Sequence, residues 1–88
     1  MKFEKSERKN KKYKVKYAGK YIHFGDTRYE HFKDSTGLGL YSDLDHNDKK
    51  RKKNYCERTK YITDKEGNYT KFNKNSANYY SRKYLWGC

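Results

Sequence analysis

The stretch "DLDHND" carries the residues of this chain best spaced for chemistry. Asp43, Asp45 and Asn47 stand where a calcium loop places its first, third and fifth ligands. Such a loop needs glycine at its sixth position for a sharp turn and a bidentate glutamate at its twelfth. Here those places hold Asp48 and Asn54, so the loop does not close around an ion. Zinc ligands would have to come from His23, His31, His46, Cys56 and Cys88, and no two of these have Cys-x-x-Cys or His-x-x-x-His spacing. Nucleophilic catalysis would need Cys56 or a serine beside a histidine and an orienting acid, and no local signature assembles them. The aspartates adjoin a run of lysines, a setting for ion pairing rather than for carboxylates with separate acid and base roles. The expectation is a protein that is not an enzyme, with no metal, no cofactor and no small-molecule substrate.

Polyanion binding is the chemistry that remains. Lys49, Lys50, Arg51, Lys52 and Lys53 are consecutive, and Arg58 follows within the same segment. On a helix these charges would surround its first turns and concentrate positive potential. Elsewhere tyrosines alternate with cations: Lys14 and Lys16 in "YKVKY", Arg82 and Lys83 in "YYSRKY". Rings beside phosphate-binding charges are the ingredients of sequence-independent nucleic-acid contact. A solvated basic face uses the same residues, and nothing here spells a helix-turn-helix, a zinc finger or an RNA-binding sheet motif.

The elements that must position these groups are few. The chain has 88 residues and a net charge of +12. Leu, Ile, Val and Phe together number eleven, a composition near that of disordered chains. Eleven tyrosines and one tryptophan oppose that reading, since each offers a large apolar body with a polar tip. A thin aromatic core follows, with a partner expected to supply part of the order. Charge is segregated: +7 over residues 1–24, −4 over 25–48 and +9 over 49–88. The acidic middle can neutralise part of the flanks and leave basic faces outward. No apolar run reaches membrane-spanning length and no secretory leader follows the basic start, which points to an intracellular, non-membrane protein. Cys56 and Cys88 are too few for a secreted disulfide scaffold and are expected as free thiols. Asn68-Tyr69-Thr70 matches a glycosylation acceptor only by chance on this reading.

The expected fold is a single small α+β domain over residues 13–88, preceded by a basic arm at 1–12. In "YKVKYAGKYIHFG" apolar residues alternate with polar ones, predicting a hairpin over Tyr13–Gly25 with a two-residue loop at Gly19-Lys20. Val15, Tyr17, Ile22 and Phe24 then share the buried face. Residues 26–45 read as a loop anchored by Tyr29, Phe32, Leu38, Leu40 and Tyr41. Asp45 is expected to cap a basic helix running to Thr59, with Leu44, Tyr55 and Ile62 turned inward against the hairpin. The turn Asp64–Gly67 suggests a second hairpin, and Ser76 the start of a C-terminal helix anchored by Leu85 and Trp86.

Six short motifs in this order add a resemblance. They are "YKV" at Tyr13–Val15, "GK" at Gly19-Lys20, "HFG" at His23–Gly25, "YEHFKD" at Tyr29–Asp34, "DHNDKKRKKNY" at Asp45–Tyr55 and "YLW" at Tyr84–Trp86. From Tyr13 to Trp86 the chain resembles small basic uncharacterised proteins of large double-stranded DNA viruses of algae and protists. Relatives of that kind carry an arginine-histidine pair after the basic segment; here Thr59 follows Arg58, so a role tied to that histidine does not transfer. The resemblance implies a virion component, located in the particle and in host cytoplasm or nucleus during infection. Two roles follow from it: a minor capsid or internal protein contacting other virion proteins, or a sequence-nonspecific binder of the double-stranded genome.

Overall fold

The computed structural model describes residues 2–88. Strand β2 (Lys11–Tyr17) is the centre of an antiparallel sheet, flanked by β1 (Phe3–Lys5) and β3 (Lys20–Asp26). Alternation puts Tyr13, Val15, Ile22 and Phe24 on one face, and all four are buried; Tyr17 is half-buried at its edge. The hairpin forms, but its loop is Ala18-Gly19 rather than Gly19-Lys20, with Tyr17 opposite Lys20, Val15 opposite Ile22 and Tyr13 opposite Phe24. Ala18 and Gly19 have φ of 51° and 79°, the positive pair a type I′ turn requires. This register differs from the expected one by two residues, and an even slip leaves every side chain on its expected face.

The expected basic arm is instead an edge strand. Phe3 lies opposite Val15 and Lys5 opposite Tyr13. A single aromatic ring accounts for the docking: Phe3 meets Phe24 and Tyr84 edge-on, at 5.8 and 4.6 Å between ring centroids. Residues 3–12 therefore belong to the same domain as the rest.

The sheet is covered by the C-terminal segment, not by the basic helix. Ser76 accepts a hydrogen bond from the Asn78 amide and caps α2 (Ala77–Tyr80), which runs into a π-helical turn at Ser81–Leu85. Tyr80 and Leu85 are buried there, with Tyr80 5.7 Å from Phe24. Close approach depends on Gly25: its φ is +78°, and a Cβ there would stand 2.8 Å from Leu85 Cδ1.

Helix α1 (Lys49–Thr59) could not have filled that place, since its sequence KKRKKNYCERT offers little apolar surface beyond Tyr55 and Cys56. It starts three residues later than expected. Asp48, not Asp45, is the cap, accepting from the amides of Lys50 and Arg51. Three contacts then fix α1 to the C-terminus: the Tyr55–Trp86 stack, a Cys56–Cys88 disulfide, and Arg82, which donates to Cys56 O and Thr59 Oγ1 at 2.7 Å each. The disulfide corrects the expectation of free thiols. The chain after Leu85 turns back on its own helix, Trp86 N donating to Ser81 O and Cys88 N to Arg82 O, and the two cysteine Cα atoms stand 5.8 Å apart, a usual separation for a disulfide.

Of the apolar side chains expected to anchor residues 27–47, Tyr29, Leu38 and Leu40 are exposed, whereas Tyr41 packs on the core edge-on to Tyr13 at 5.4 Å and Phe32 is half-buried beside His46, and polar contacts do the rest. His31 N donates to Leu44 O, Asn47 N to Phe32 O, Lys33 N to Leu85 O and Ser35 N to Tyr84 O. The second hairpin is reduced to one bridge, Thr63 with Tyr69, around a turn in which Asp64 accepts from the Glu66 and Asn68 amides. Tyr61, Ile62, Tyr69 and Phe72 stay exposed, so no apolar face drives a longer ladder, and Ile62 does not extend the inward face of α1.

Candidate polyanion-binding surface

The N-terminal half of α1 presents the cations expected of it. Lys49, Lys50, Arg51 and Lys53 are exposed on its first turns, where the positive end of the helix dipole adds to their field. Arg51 donates to Glu30 at 2.9 Å in an exposed ion pair. Lys52 is half-buried, its ammonium 4.7 Å from the Phe32 ring centroid. Arg58 is exposed and rides over the Tyr55 ring at 5.5 Å. The expected site residues thus divide: Lys49, Lys50 and Lys53 form one free cluster, and Lys52 and Arg58 are held against rings.

Lys14 and Lys16 sit on the outer face of the sheet, far from buried Tyr13 and Val15 in orientation though adjacent in sequence. Both approach Tyr21, at 4.6 and 5.8 Å, and Lys14 also pairs with Glu7 at 2.8 Å, which pulls the Glu7 carboxyl below the usual range. Lys83 is exposed over Tyr79 and Tyr84. Arg82 differs, because its two inward hydrogen bonds make it the C-terminal clamp of α1. Among the described residues only Lys14, Arg28, Arg51 and Lys60 of the 23 lysines and arginines join an ion pair. Ring contacts, not carboxylates, organise this charge.

One cation is internal, which no local sequence pattern announces. Lys12 is 2 % exposed, and its Nζ donates to Tyr29 O and to His31 Nδ1, both at 2.8 Å. The opposite ring nitrogen of buried His31 donates to Asp45, which also accepts from the Asp34 amide. A chain of ammonium, neutral imidazole and carboxylate results, balanced in charge and joining β2 to the 31–45 bridge. Burial pushes the Lys12 ammonium down to about 8, against the pull of nearby aspartates. Burial and then the Lys12 charge hold His31 below its ordinary value. A second buried link ties the same loop: the Tyr13 hydroxyl donates to Asp34 and accepts from the Leu40 amide, and burial with the Asp34 contact raises Tyr13 to about 12.

The candidate metal ligands do not converge. His23 bonds Ser6, His31 is in the chain above, and both cysteines are oxidised. No group of three or more His, Cys, Asp or Glu able to hold a metal occurs among the described residues, and no helix there is long and apolar enough to cross a membrane.

A family of unknown function, DUF5754, matches residues 1–36, the stretch that holds the whole sheet, Lys12, His31 and Asp34. No curated protein and no solved structure matches the chain.

Proposed function

We propose that the protein is a non-enzymatic basic component of a virion, a minor capsid or internal protein that turns its positive charge toward a polyanionic partner. The carrying observation is the dispersal of cations over aromatic rings on several faces, with few carboxylates to neutralise them. Cations spread among aromatic anchors suit insertion between acidic protein subunits, where rings supply contact area and charge supplies complementarity. The Cys56–Cys88 disulfide supports residence in a released particle, because such bonds persist outside reducing compartments. The viral setting rests on the motif resemblance. Mass spectrometry of purified particles, before and after removal of the shell, tests the reading. Presence in stripped shell fractions supports it, and absence from particles ends it.

A second reading has its own observation. Lys49, Lys50 and Lys53 cluster at a helix N-terminus, the geometry that favours phosphate. Those residues would bind the double-stranded genome without regard to sequence.

A further inference from the structure

Between the 26–30 loop, α1 and the C-terminal helix lies a cleft of about 620 Å³. That volume falls within the range of small-ligand sites. Gly25, Ala77 and the nearly fully buried Leu85 line its apolar side. Its wall carries an aromatic stack with a guanidinium beside it. Trp86 lies flat on Tyr55, ring centroids 4.0 Å apart, and the Arg58 guanidinium stands 5.5 Å from the Tyr55 ring centroid. A guanidinium held against a ring has given up part of the freedom that binding an anion would cost it. Lys11 lines the same cleft, and Tyr29, 64 % exposed, adds an aromatic ring.

The charge balance inside selects the ligand. The two carboxylates that line the cleft are occupied: Asp26 by two hydrogen bonds from the Arg28 guanidinium and Glu30 by Arg51. Lys12 is matched by Asp45 through His31. Lys11 and Arg58 are left in excess beside aromatic and apolar surface. Two donors suited to phosphate next to ring faces describe the needs of a nucleotide.

We propose that this cleft binds a nucleoside monophosphate unit, its phosphate on Arg58 and Lys11 and its base against the exposed ring of Tyr29. The unit is either a free nucleotide or a residue of a single strand; the site shares no residue with the free cluster of Lys49, Lys50 and Lys53 and does not depend on the partner proposed above.

Trp86 is the single tryptophan and forms the base of the stack, so its emission reports the site directly. The oxidised full chain is titrated with adenosine 5′-monophosphate, adenosine, inorganic phosphate and a short deoxyadenosine oligomer. Saturable change with the monophosphate, at least tenfold tighter than with adenosine or phosphate alone, is expected for a free nucleotide. Saturation by the oligomer alone assigns the site to a strand. In either case Arg58→Ala should weaken binding at least tenfold, Arg58→Lys less, and Lys65→Ala, which does not line the cleft, not at all. Near-ultraviolet circular dichroism of each variant confirms that the fold is kept. Failure of both nucleotide arms to saturate, or equal losses in Arg58→Ala and Lys65→Ala, overturns the proposal.

Discussion

Tyr55 and Trp86 lie face to face, 4.0 Å between ring centroids and 7° from parallel, and each stands within two residues of one half of the Cys56–Cys88 disulfide. Stack and covalent bond do the same task. Helix α1 buries little besides Thr59, so without this attachment it would have scant reason to stay on the domain. The disulfide closes a loop across a sequence separation of 32, for which chain-entropy arguments give roughly 3–4 kcal/mol. Reduction with dithiothreitol should therefore lower stability in urea by about 2–4 kcal/mol, and Cys56→Ser should match the reduced protein. Indifference to reductant would show that the stack alone holds α1.

The sheet makes its own demand. Phe24 is fully buried and meets Phe3, Tyr13 and Tyr80 at 5.8, 6.1 and 5.7 Å. Phe24→Ala leaves a hole that three rings cannot fill by small movements, and should cost about 3–5 kcal/mol in chemical denaturation. A loss below about 1 kcal/mol would mean that the C-terminal helix does not seat on β3.

The buried Lys12–His31–Asp45 chain predicts two pH effects of defined sign. Lys12 is held at about 8 in the folded protein against an ordinary 10.5. Between those values the unfolded chain keeps a proton that the folded one has released, so stability rises with pH across this window, by at most about 1.4 kcal/mol per unit. Lys12→Met should remove that rise, read as the difference from wild type between pH 8 and 10 because tyrosines titrate in both. His31 is also depressed, so its contribution is present above pH 6.5 and fades as pH falls below that value. His31→Ala should flatten the acid limb while destabilising the protein at neutral pH, since it leaves the buried Lys12 ammonium only the Tyr29 carbonyl as acceptor.

Much of the fold could be read from period and turn chemistry, and the exceptions share a cause. Alternation placed Val15, Ile22 and Phe24 on one buried face, and the loop position was off by one because Ala18 adopts a positive φ that composition favours only weakly. Ser76 announced the last helix by its capping chemistry. Long-range pairings were not legible. Asp45 looks like a helix cap until His31 is seen to claim it, and Lys12 looks like a solvent lysine until the loop folds over it. Likewise two cysteines 32 residues apart carry no local sign of pairing, and Arg82 reads as a surface charge until its helix partner is in place. The free cluster at Lys49, Lys50 and Lys53 was legible because consecutive cations on one or two helical turns cannot all be buried.

That cluster gives the test of the DNA reading. Each phosphate neutralised on a duplex releases condensed counterions, so log K falls against log salt with a slope near −0.9 per contact. Lys52 is engaged on Phe32 and contributes little, which leaves three exposed lysines. Replacing Lys49, Lys50 and Lys53 with alanine should make the slope shallower by roughly two to three units, with the fold intact. The loss should be the same for any duplex sequence, because phosphate contacts carry no base information. If the triple variant keeps the wild-type slope, α1 is not the duplex-binding element. If the wild type fails to bind duplex at low salt, the charge is directed at a protein surface, as the virion reading requires.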